Sequence, residues 1–296
     1  MRVLVFGGSG QVGQALRREV WPADVEVSFV PRSQVDLADL DAIAMCIGKI
    51  APDVVINAAA YTAVDRAENE PGQAYLVNAF APGAMAAACA RVAAFLIHIS
   101  TDYVFDGAST VPYVEADPVG PLGVYGASKL AGELLIRERL PDHVILRTAW
   151  VYGATGNNFL RTMLRLGRER RELRVVVDQH GSPTHAAEIA SALRSIAVSP
   201  AKRAGTFHLT GGGATTWHGF AEAIFEAAAE LGYSSPVVAP IVTADYPTPA
   251  RRPLHSVLDC RRIDKVYGVH RPSWRASLRP VVRDVLRAEH RASTRE

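Results

Sequence analysis

The amino-acid sequence predicts an α/β fold, with a doubly wound parallel sheet and a smaller C-terminal α/β domain. Two observations support this fold class. Short apolar runs rich in valine and isoleucine alternate with helical segments through the first half of the 296-residue chain, as in Rossmann-like sheets. Near residue 150 this alternation stops and the remaining elements become less regular, which indicates a second unit.

Five runs in the first half are predicted to be buried strands. Each is short, mostly apolar and bounded by glycine, proline or a polar residue, as in strands that helices cover on both faces. They lie at residues 3–6, 25–30, 54–57, 95–100 and 144–148. Helices are predicted between them at residues 11–20, 37–50 and 82–94. Strands separated by such helices form right-handed crossovers in a parallel sheet.

The second half is predicted to mix helices and strands. The helices lie at residues 158–171, 186–197 and 217–231, and the strands at 174–177 and 206–209. A proline-rich stretch at 235–253 has too little pattern for a sheet core and is a candidate to cover a ligand. We therefore assign residues 1–152 and about 184–210 to the first domain, and about 153–183 and 211–296 to the second.

Composition and charge exclude several classes of protein. Hydrophobic residues make up 49% and charged residues 21% of the chain, as in a globular rather than a disordered protein. The 32 basic and 30 acidic side chains give a net charge of +2, so no partnership with nucleic acid or membranes is expected. No apolar stretch approaches the roughly 18 residues that span a membrane, and no signal peptide is recognisable. The three cysteines are scattered, which favours a reducing, cytoplasmic location.

A glycine-rich loop directly follows the first predicted strand. Gly7, Gly10 and Gly13 have the spacing G-x-x-G-x-x-G, and Gln11 and Val12 begin the next helix. Glycine permits the sharp turn and lets the backbone approach a pyrophosphate, which then faces the N–H groups at the helix start. Because a strand precedes the loop and a helix follows it, we predict that the first domain binds a dinucleotide.

The end of the second strand distinguishes NADPH from NADH. An acidic residue there accepts hydrogen bonds from the ribose and repels a 2′-phosphate, whereas this chain has Arg32 followed by Ser33. The Arg32 guanidinium suits a 2′-phosphate, and the alternative is an arginine that only faces solvent. Asp36 and Leu37 are candidates to hold the adenine. We predict NADPH as the cofactor, with NADH also possible.

Tyr125 and Lys129 form a candidate catalytic pair. They are four residues apart, so a helix places them on one face. A tyrosine with an ordinary pKa of about 10 holds its proton too firmly for chemistry near neutral pH. A neighbouring lysine cation is expected to lower that pKa and make the phenol a general acid toward a carbonyl oxygen. The alternative is a chance pairing of two common residues on an exposed helix.

Thr101 strengthens the catalytic interpretation. It follows the fourth predicted strand, at the edge where open α/β sheets bind ligands, and Asp102 comes next. We expect its hydroxyl to hydrogen-bond the oxygen that Tyr125 protonates, and the alternative is a cap at the strand end. The next strand leads into Trp150, a candidate to cover one face of a sugar or base.

Several segments together resemble the extended short-chain dehydrogenase/reductase superfamily. They are the glycine loop and residues 57–62, 100–107, 125–129 and 147–153. Within that superfamily the chain is similar to the dTDP-4-dehydrorhamnose reductase family nearly from end to end, including residues 158–160, 178–184, 252–253, 256 and 258–259. The resemblance implies reduction of the 4-keto group of dTDP-4-dehydro-β-L-rhamnose to give dTDP-L-rhamnose. A small-molecule nucleotide sugar is therefore the expected partner.

The resemblance also implies roles for individual residues. Catalytic roles are expected for Thr101, Tyr125 and Lys129. Cofactor contacts are expected from the glycine loop with Gln11 and Val12, and from Asp36, Leu37, Ala60, Tyr61, Thr62, Tyr125 and Lys129. Substrate contacts are expected from Thr101, Asp102, Trp150 and Asn158. Arg252 forms a doublet with Arg251 that suits a pyrophosphate, and a solvent-facing pair is an equal alternative.

One residue distinguishes keto reduction from dehydration. Related dehydratases follow the threonine with Asp and then Glu, a carboxyl pair that eliminates water, whereas Asp102 is followed here by Tyr103. Keto reduction is therefore favoured. The alternatives are a reductase or epimerase of another nucleotide-linked 4-keto sugar, and a non-catalytic regulatory subunit with the same fold.

No metal site is predicted. Some relatives bind magnesium at a dimer contact through glutamates, one of them early in the first helix, where this chain has Gln14 and Ala15. Glu188 by itself is expected to be a solvated charge, so neither magnesium nor a strong dimer is predicted, and we expect a monomer or a weak homodimer. The histidines at positions 98, 180, 185, 208 and 218 lack ligand spacing and are expected to be structural or surface residues.

Overall fold

A six-stranded parallel sheet forms the centre of the computed structural model, which describes residues 1–293. The strands are β1 (Arg2–Phe6), β2 (Glu26–Val30), β3 (Val54–Asn57), β4 (Phe95–Thr101), β5 (His143–Thr148), β6 (Val151–Tyr152), β7 (Glu172–Val176), β8 (His180–Gly181), β9 (Thr184–His185), β10 (Gly205–His208), β11 (Thr215–Thr216) and β12 (Val237–Ile241). The central sheet has the order β2-β1-β3-β4-β5-β10. The predicted doubly wound, Rossmann-like fold is confirmed, because every pairing in this sheet is parallel.

Helices cover both faces of this sheet. The helices within residues 1–293, including those that lie away from this sheet, are α1 (Gln11–Leu16), α2 (Leu40–Ile50), α3 (Val64–Ala67), α4 (Pro71–Tyr75), α5 (Ala81–Val92), α6 (Val124–Arg139), α7 (Phe159–Glu169), α8 (Ala186–Val198), α9 (Trp217–Ala229), α10 (Arg261–Tyr267) and α11 (Trp274–Ser293). A π-helical turn at Leu76–Phe80 joins α4 to α5. Short 3₁₀ turns at Asp102–Val104 and Thr243–Asp245 follow β4 and β12.

Alternating side chains of the strands build a separate core on each face. Val3 and Val5 of β1 point to the core that contains residues of α1 and α8. Leu4 and Phe6 point to the opposite core, which contains residues of α2, α5 and α6. Strand side chains alternate between faces, so a strand buried on both faces is apolar throughout. This explains why the apolar runs predicted the central strands to within one residue.

A third core lies outside the central sheet, among α7, α9, α11 and β7. Small two-stranded sheets, β7 with β12, β6 with β9 and β8 with β11, frame this region. The strand β10 and the helix α8 contribute residues to the first core, in agreement with the predicted division. Cys260 and Ile263 also belong to the first core, although the predicted division assigns these two residues to the second domain. The division itself stays a prediction. None of the helices in residues 1–293 combines the length and the apolar character needed to cross a membrane.

Helix ends and some whole elements differ from the sequence prediction. The helix α2 begins at Leu40 rather than at residue 37, because the carboxylate of Asp39 accepts a hydrogen bond from the Ala42 N–H at 2.9 Å and caps it. The helices between residues 64 and 75 and the two C-terminal helices were not predicted. Pro280 lies inside α11, where a proline argues against a helix. The proline-rich stretch contains β12, which pairs with β7 and stays outside the central sheet.

Candidate active site

A cleft of about 750 Å³ opens at the carboxyl edge of the sheet, between the ends of β1, β3 and β4. This is the switch point where the connections run in opposite directions, and open α/β sheets bind ligands there. Most of the predicted site residues line it: Gly7, Gly10, Gln11, Val12, Arg32, Asp36, Leu37, Ala60, Tyr61, Thr62, Thr101, Asp102, Tyr125, Lys129 and Trp150. Three predicted residues, Gly13, Asn158 and Arg252, are not part of its lining.

The glycine loop is packed so closely that two of its positions require glycine. Gly7 has a φ of +85°, and a Cβ there would lie 2.5 Å from the Ala59 nitrogen. A Cβ on Gly13 would lie 2.1 Å from the Gly7 oxygen. Gly13 therefore keeps α1 against the loop, whereas the cofactor contact predicted for it stays a prediction. The Gly10 N–H closes the turn by donating to the Gly7 oxygen at 3.0 Å.

Arg32 and Asp36 form an exposed ion pair at the rim of the cleft. The Nη2 atom of Arg32 lies 3.2 Å from Oδ2 of Asp36, and 81% of the arginine side chain is exposed. The N–H of Ala38, together with Arg32, holds the pKa of Asp36 below its usual range. Exposed pairs of this kind contribute little to stability. Arg32 can therefore exchange its carboxylate partner for a phosphate at small cost.

Thr101 and Tyr125 meet at the inner end of the cleft. Thr101 ends β4, where its Oγ1 accepts a hydrogen bond from the Tyr103 N–H at 3.2 Å and donates one to Asp102 Oδ1 at 3.0 Å. Thr101 therefore caps the end of the strand and also lies in the cleft, as predicted. Burial raises the pKa of Tyr125 to about 12, while hydrogen bonding to Thr101 acts in the opposite direction.

Lys129 lies one helical turn after Tyr125 and is 1% exposed. Its Nζ donates to the Ile99 carbonyl oxygen at 2.7 Å and lies 3.2 Å from Nε2 of His98. Burial lowers the pKa of Lys129 to about 8. The expectation that Lys129 lowers the Tyr125 pKa is wrong for this structure, because burial dominates at the tyrosine and the amine is bonded to β4.

Two buried residues behind Lys129 were given no site role by the sequence analysis. His98, expected to be structural or at the surface, is fully buried in β4 and contacts Lys129. Asn57, at the end of β3, lies 3.0 Å from the other ring nitrogen of His98. A histidine inside an apolar strand was the available signal, but its contact with Lys129 depends on a residue 31 positions away.

Asn78 connects the loop after β3 to the helix that carries Tyr125. Its Oδ1 accepts from the Tyr61 N–H at 2.8 Å, and its Nδ2 donates to the Tyr61 oxygen and to Ser128 Oγ, each at 3.0 Å. Asn78 lies in the π-helical turn, a feature that is frequent at functional sites. The Tyr61 hydroxyl donates to Glu70 at 2.7 Å, so its ring is fixed at both ends.

Trp150 has a strained backbone and a covered ring. Its φ is +48°, which is uncommon for a large side chain. Its ring stacks on Trp217 with centroids 3.5 Å apart and an angle of 6° between the planes. Gly181 leaves no room for a Cβ, which would lie 2.4 Å from the Trp150 ring. One ring face is therefore covered by Trp217, a residue of the cleft lining that sequence reasoning missed.

The predicted substrate residues outside the lining have partners in the fold. Asn158 caps α7 by accepting from the Arg161 N–H at 3.1 Å, and its amide donates to Gln11 Oε1 at 2.8 Å. Arg252 pairs with Asp65 at 2.7 Å and is mostly buried. The substrate roles of these two residues stay predictions.

Asp102 is a buried carboxyl group beside Thr101. It is 2% exposed, and burial raises its pKa to about 6 although hydrogen bonds from Ser256 and Thr101 act to lower it. Among the residues from 1 to 293, no group of three or more His, Cys, Asp or Glu side chains is arranged to hold a metal ion. Glu188, expected to be a solvated charge, is instead half-buried and accepts a hydrogen bond from Ser277.

The fold and the cleft together define a short-chain dehydrogenase/reductase. Residues 1–287 match the family model of the RmlD substrate binding domain. The chain is 44% identical to a dTDP-4-dehydrorhamnose reductase of Burkholderia thailandensis over 297 aligned positions. This alignment covers 97% of this chain and 99% of that protein. With matches of this extent, the chain belongs to the dTDP-4-dehydrorhamnose reductase family.

Solved structures agree with this assignment. A dTDP-4-dehydrorhamnose reductase of Clostridium acetobutylicum superimposes with a TM-score of 0.91 at 38% identity, covering 97% of this chain and 100% of that one. A dTDP-4-dehydrorhamnose reductase of Bacillus anthracis in complex with NADP has a TM-score of 0.88 at 36% identity, with coverages of 95% and 98%. The resemblance inferred from the sequence motifs is therefore confirmed.

Proposed function

We propose that the protein reduces the 4-keto group of dTDP-4-dehydro-β-L-rhamnose with NADPH and yields dTDP-L-rhamnose. The observation that carries the proposal is that Thr101, Tyr125 and Lys129 line the same cleft as the glycine loop. The similarity to dTDP-4-dehydrorhamnose reductases, one of them in complex with NADP, supports the substrate and the cofactor.

The cleft suits a dinucleotide. Gly7, Gly10, Gln11 and Val12 line the cleft, where a glycine-rich loop and a helix start suit a pyrophosphate. Arg32 is the residue for the 2′-phosphate of NADPH, and NADH, which lacks that phosphate, is accepted more weakly. The remaining contacts assigned to the cofactor come from Asp36, Leu37, Ala60, Tyr61, Thr62 and Lys129.

The residues of this chain supply the proton and the orientation. When bound, NADPH supplies the hydride that adds to the carbonyl carbon. The Thr101 hydroxyl orients the ketone oxygen, and Tyr125 donates its phenolic proton to that oxygen. A pKa of about 12 keeps this proton on the tyrosine until negative charge develops on the substrate. Lys129, with a pKa of about 8, is mostly charged near neutral pH and is the source of the proton that restores the phenol.

The sugar is assigned to Asp102, beside Thr101, and to Trp150, with Asn158 and Arg252 as further candidates. A monomer or a weak homodimer in the cytoplasm is part of the proposal. The three cysteines are all free thiols, which supports a reducing compartment.

The direct test mixes the protein with dTDP-4-dehydrorhamnose and NADPH. We expect one NADPH to be consumed for each dTDP-L-rhamnose formed, and no consumption with dTDP-glucose, which has no ketone. Isomerisation of the sugar by tightly bound NAD, without net NADPH consumption, would favour an epimerase. The absence of turnover with authentic substrate over the accessible pH range would contradict the proposal.

A further inference from the structure

Lys129 stands at the end of a chain of buried polar groups that begins in the loop after β3. The backbone N–H of Ala59 donates to Asn57 Oδ1 at 3.1 Å. This contact sets the orientation of the Asn57 amide, because the flipped amide would place two N–H groups against each other. The Nδ2 group of Asn57 therefore faces His98 and acts as a donor.

This donor determines which nitrogen of His98 carries the proton. The Asn57 Nδ2 atom lies 3.0 Å from Nδ1 of His98, so Nδ1 must accept and is unprotonated. Burial, and then the nearby Lys129 and His143, hold the pKa of His98 well below its usual range, so the ring is neutral. The single ring proton is consequently on Nε2.

The protonated Nε2 points at the amine of Lys129, 3.2 Å away. An ammonium group has no lone pair and cannot accept this hydrogen bond, whereas an uncharged amine can. The amine retains its own N–H groups for the Ile99 oxygen at 2.7 Å. The contact from His98 thus stabilises the uncharged form of Lys129.

The acidic group that faces Lys129 offers limited compensation. Glu133, one turn further along α6, favours the charged lysine. Its carboxylate is already bonded to Arg147 at 2.7 Å, Arg137 at 2.8 Å and Ser100 at 2.6 Å. All three groups of the chain are buried, at 0% exposure for Asn57 and His98 and 1% for Lys129. Burial and the polar contact from His98 therefore act on Lys129 in the same direction.

We propose that Asn57 and His98 are positioning residues for Lys129, which present a protonated Nε2 to its amine and thereby favour the uncharged amine over the ammonium. The catalytic meaning rests on the proposed function, in which charged Lys129 returns a proton to Tyr125. Reduction needs the charged lysine, so the His98 contact lowers the pH above which the rate of reduction falls. The hydrogen-bond assignment itself does not depend on activity.

The chain is well suited to a direct test by NMR. It contains four lysines, Lys49, Lys129, Lys202 and Lys265, and Lys129 is the buried one. In the intact protein labelled with [15N]histidine, long-range 1H–15N spectra are expected to show His98 with a protonated Nε2 and an unprotonated Nδ1 between about pH 6 and 9. A protonated Nδ1 on His98 would overturn the proposal. The other lysines are internal references for the ε-13C signal of Lys129, which is expected to titrate near pH 8.

Two variants separate the hydrogen bond from packing. In His98→Gln an amide can still accept from Asn57 and donate to Lys129, so the midpoint of the Lys129 titration is expected to stay in place. In His98→Leu both bonds are lost, and the midpoint is expected to rise by roughly half a pH unit to one unit. An equal shift in both variants, or none in His98→Leu, refutes the role of His98.

The pH profile of NADPH oxidation connects this result to function. The alkaline fall of kcat/KM is expected to move upward in His98→Leu together with the Lys129 midpoint, and to stay in place in His98→Gln. If the alkaline fall of kcat/KM did not move with the midpoint of the Lys129 titration, the link to Lys129 would be overturned. Should His98→Leu fail to fold, the tautomer in the natural protein still decides the assignment. Turnover that is absent altogether would contradict the proposed function and leave the NMR result intact.

Discussion

Tyr125 has the properties of an acid that releases its proton late. Its pKa is raised to about 12, mainly by burial, and the edge of its ring contacts Tyr103 with centroids 5.5 Å apart. A phenol in this state is protonated throughout the physiological range. In the proposed reaction the proton moves only when the ketone oxygen becomes an alkoxide, which is the more basic group. The high pKa is therefore compatible with the role of general acid.

Replacing Tyr125 with phenylalanine tests this role. We expect Tyr125→Phe to lower kcat by about 10²–10⁴-fold, the usual contribution of a general acid, because the ring is retained and only the proton donor is lost. The dissociation constant for NADPH, measured by fluorescence titration, is expected to stay within about twofold. Tyr75→Phe, outside the cleft, is the matched control. Near-normal turnover of Tyr125→Phe would contradict the assignment.

Arg32 is expected to determine the preference for NADPH. Arg32→Ala removes a charged hydrogen-bond donor from the 2′-phosphate, and such bonds contribute about 1.5–3 kcal/mol. We therefore expect kcat/KM for NADPH to fall by roughly 10–100-fold, and that for NADH to change little. Arg18→Ala, an exposed arginine outside the cleft lining, controls for lost surface charge. Equal losses with both cofactors would show that Arg32 does not read the phosphate.

Among the elements, α7 begins at a residue that also contacts the glycine loop. Asn158 caps this helix through its Oδ1 and donates its amide hydrogens to Gln11 Oε1 and to the Gly153 oxygen at 3.0 Å. A single side chain thus connects the segment before α7 to the start of α1. The cap explains why the helix begins where the sequence analysis expected it to begin.

The two functions of Asn158 can be measured apart. Asn158→Ala removes the cap and the donors, so the free energy of unfolding is expected to fall by about 1–2 kcal/mol. Asn158→Ser retains an uncharged acceptor for the Arg161 N–H and is expected to lose less stability than Asn158→Ala. Urea unfolding followed by circular dichroism gives both values. If the two variants were equally unstable, the cap would not be the cause.

At the scale of the whole molecule, a buried ion pair joins α6 to the central sheet. Glu133 is 0% exposed and Arg147 on β5 is 2% exposed, and two hydrogen bonds of 2.9 and 2.7 Å connect them. Ser100 on β4 donates to the same carboxylate at 2.6 Å. The helix that carries Tyr125 and Lys129 is therefore tied to the strands that end at the cleft.

Removing the charge of Glu133 is expected to destabilise the fold. Glu133→Gln leaves Arg147 buried without its counter-charge, which costs about 3–5 kcal/mol in comparable cases. The exposed Glu138→Gln on the same helix is the control.

The pKa of Glu133 makes the contribution of this pair depend on pH. Although burial acts to raise that pKa, Arg147 holds it below its usual value of 4.5. The pair therefore stabilises the native state above about pH 4.5, and this contribution is lost as the pH falls through the native-state pKa. Denaturant melts from about pH 3 to 7 should show a smaller pH dependence in Glu133→Gln. An unchanged acid dependence would contradict this account.

Much of the architecture was predictable from local pattern. The central strands were located to within one residue because buried parallel strands are continuous apolar runs. Helix bounds were less accurate, since side chains such as Asp39 decide where a helix begins. The helix α11 was missed because of Pro280, although its apolar face packs against α9 in the third core.

Local sequence patterns were sufficient to predict the doubly wound fold, the glycine loop and the set of Thr101, Tyr125 and Lys129. These features depend on spacing along the chain and on intrinsic residue chemistry, both of which are visible without coordinates. Contacts between distant residues required the tertiary structure: Asn57 meets His98 across 41 positions, and Trp217 covers Trp150. The raised pKa of Tyr125 also required it, because desolvation depends on how much protein surrounds a group once the whole chain has packed.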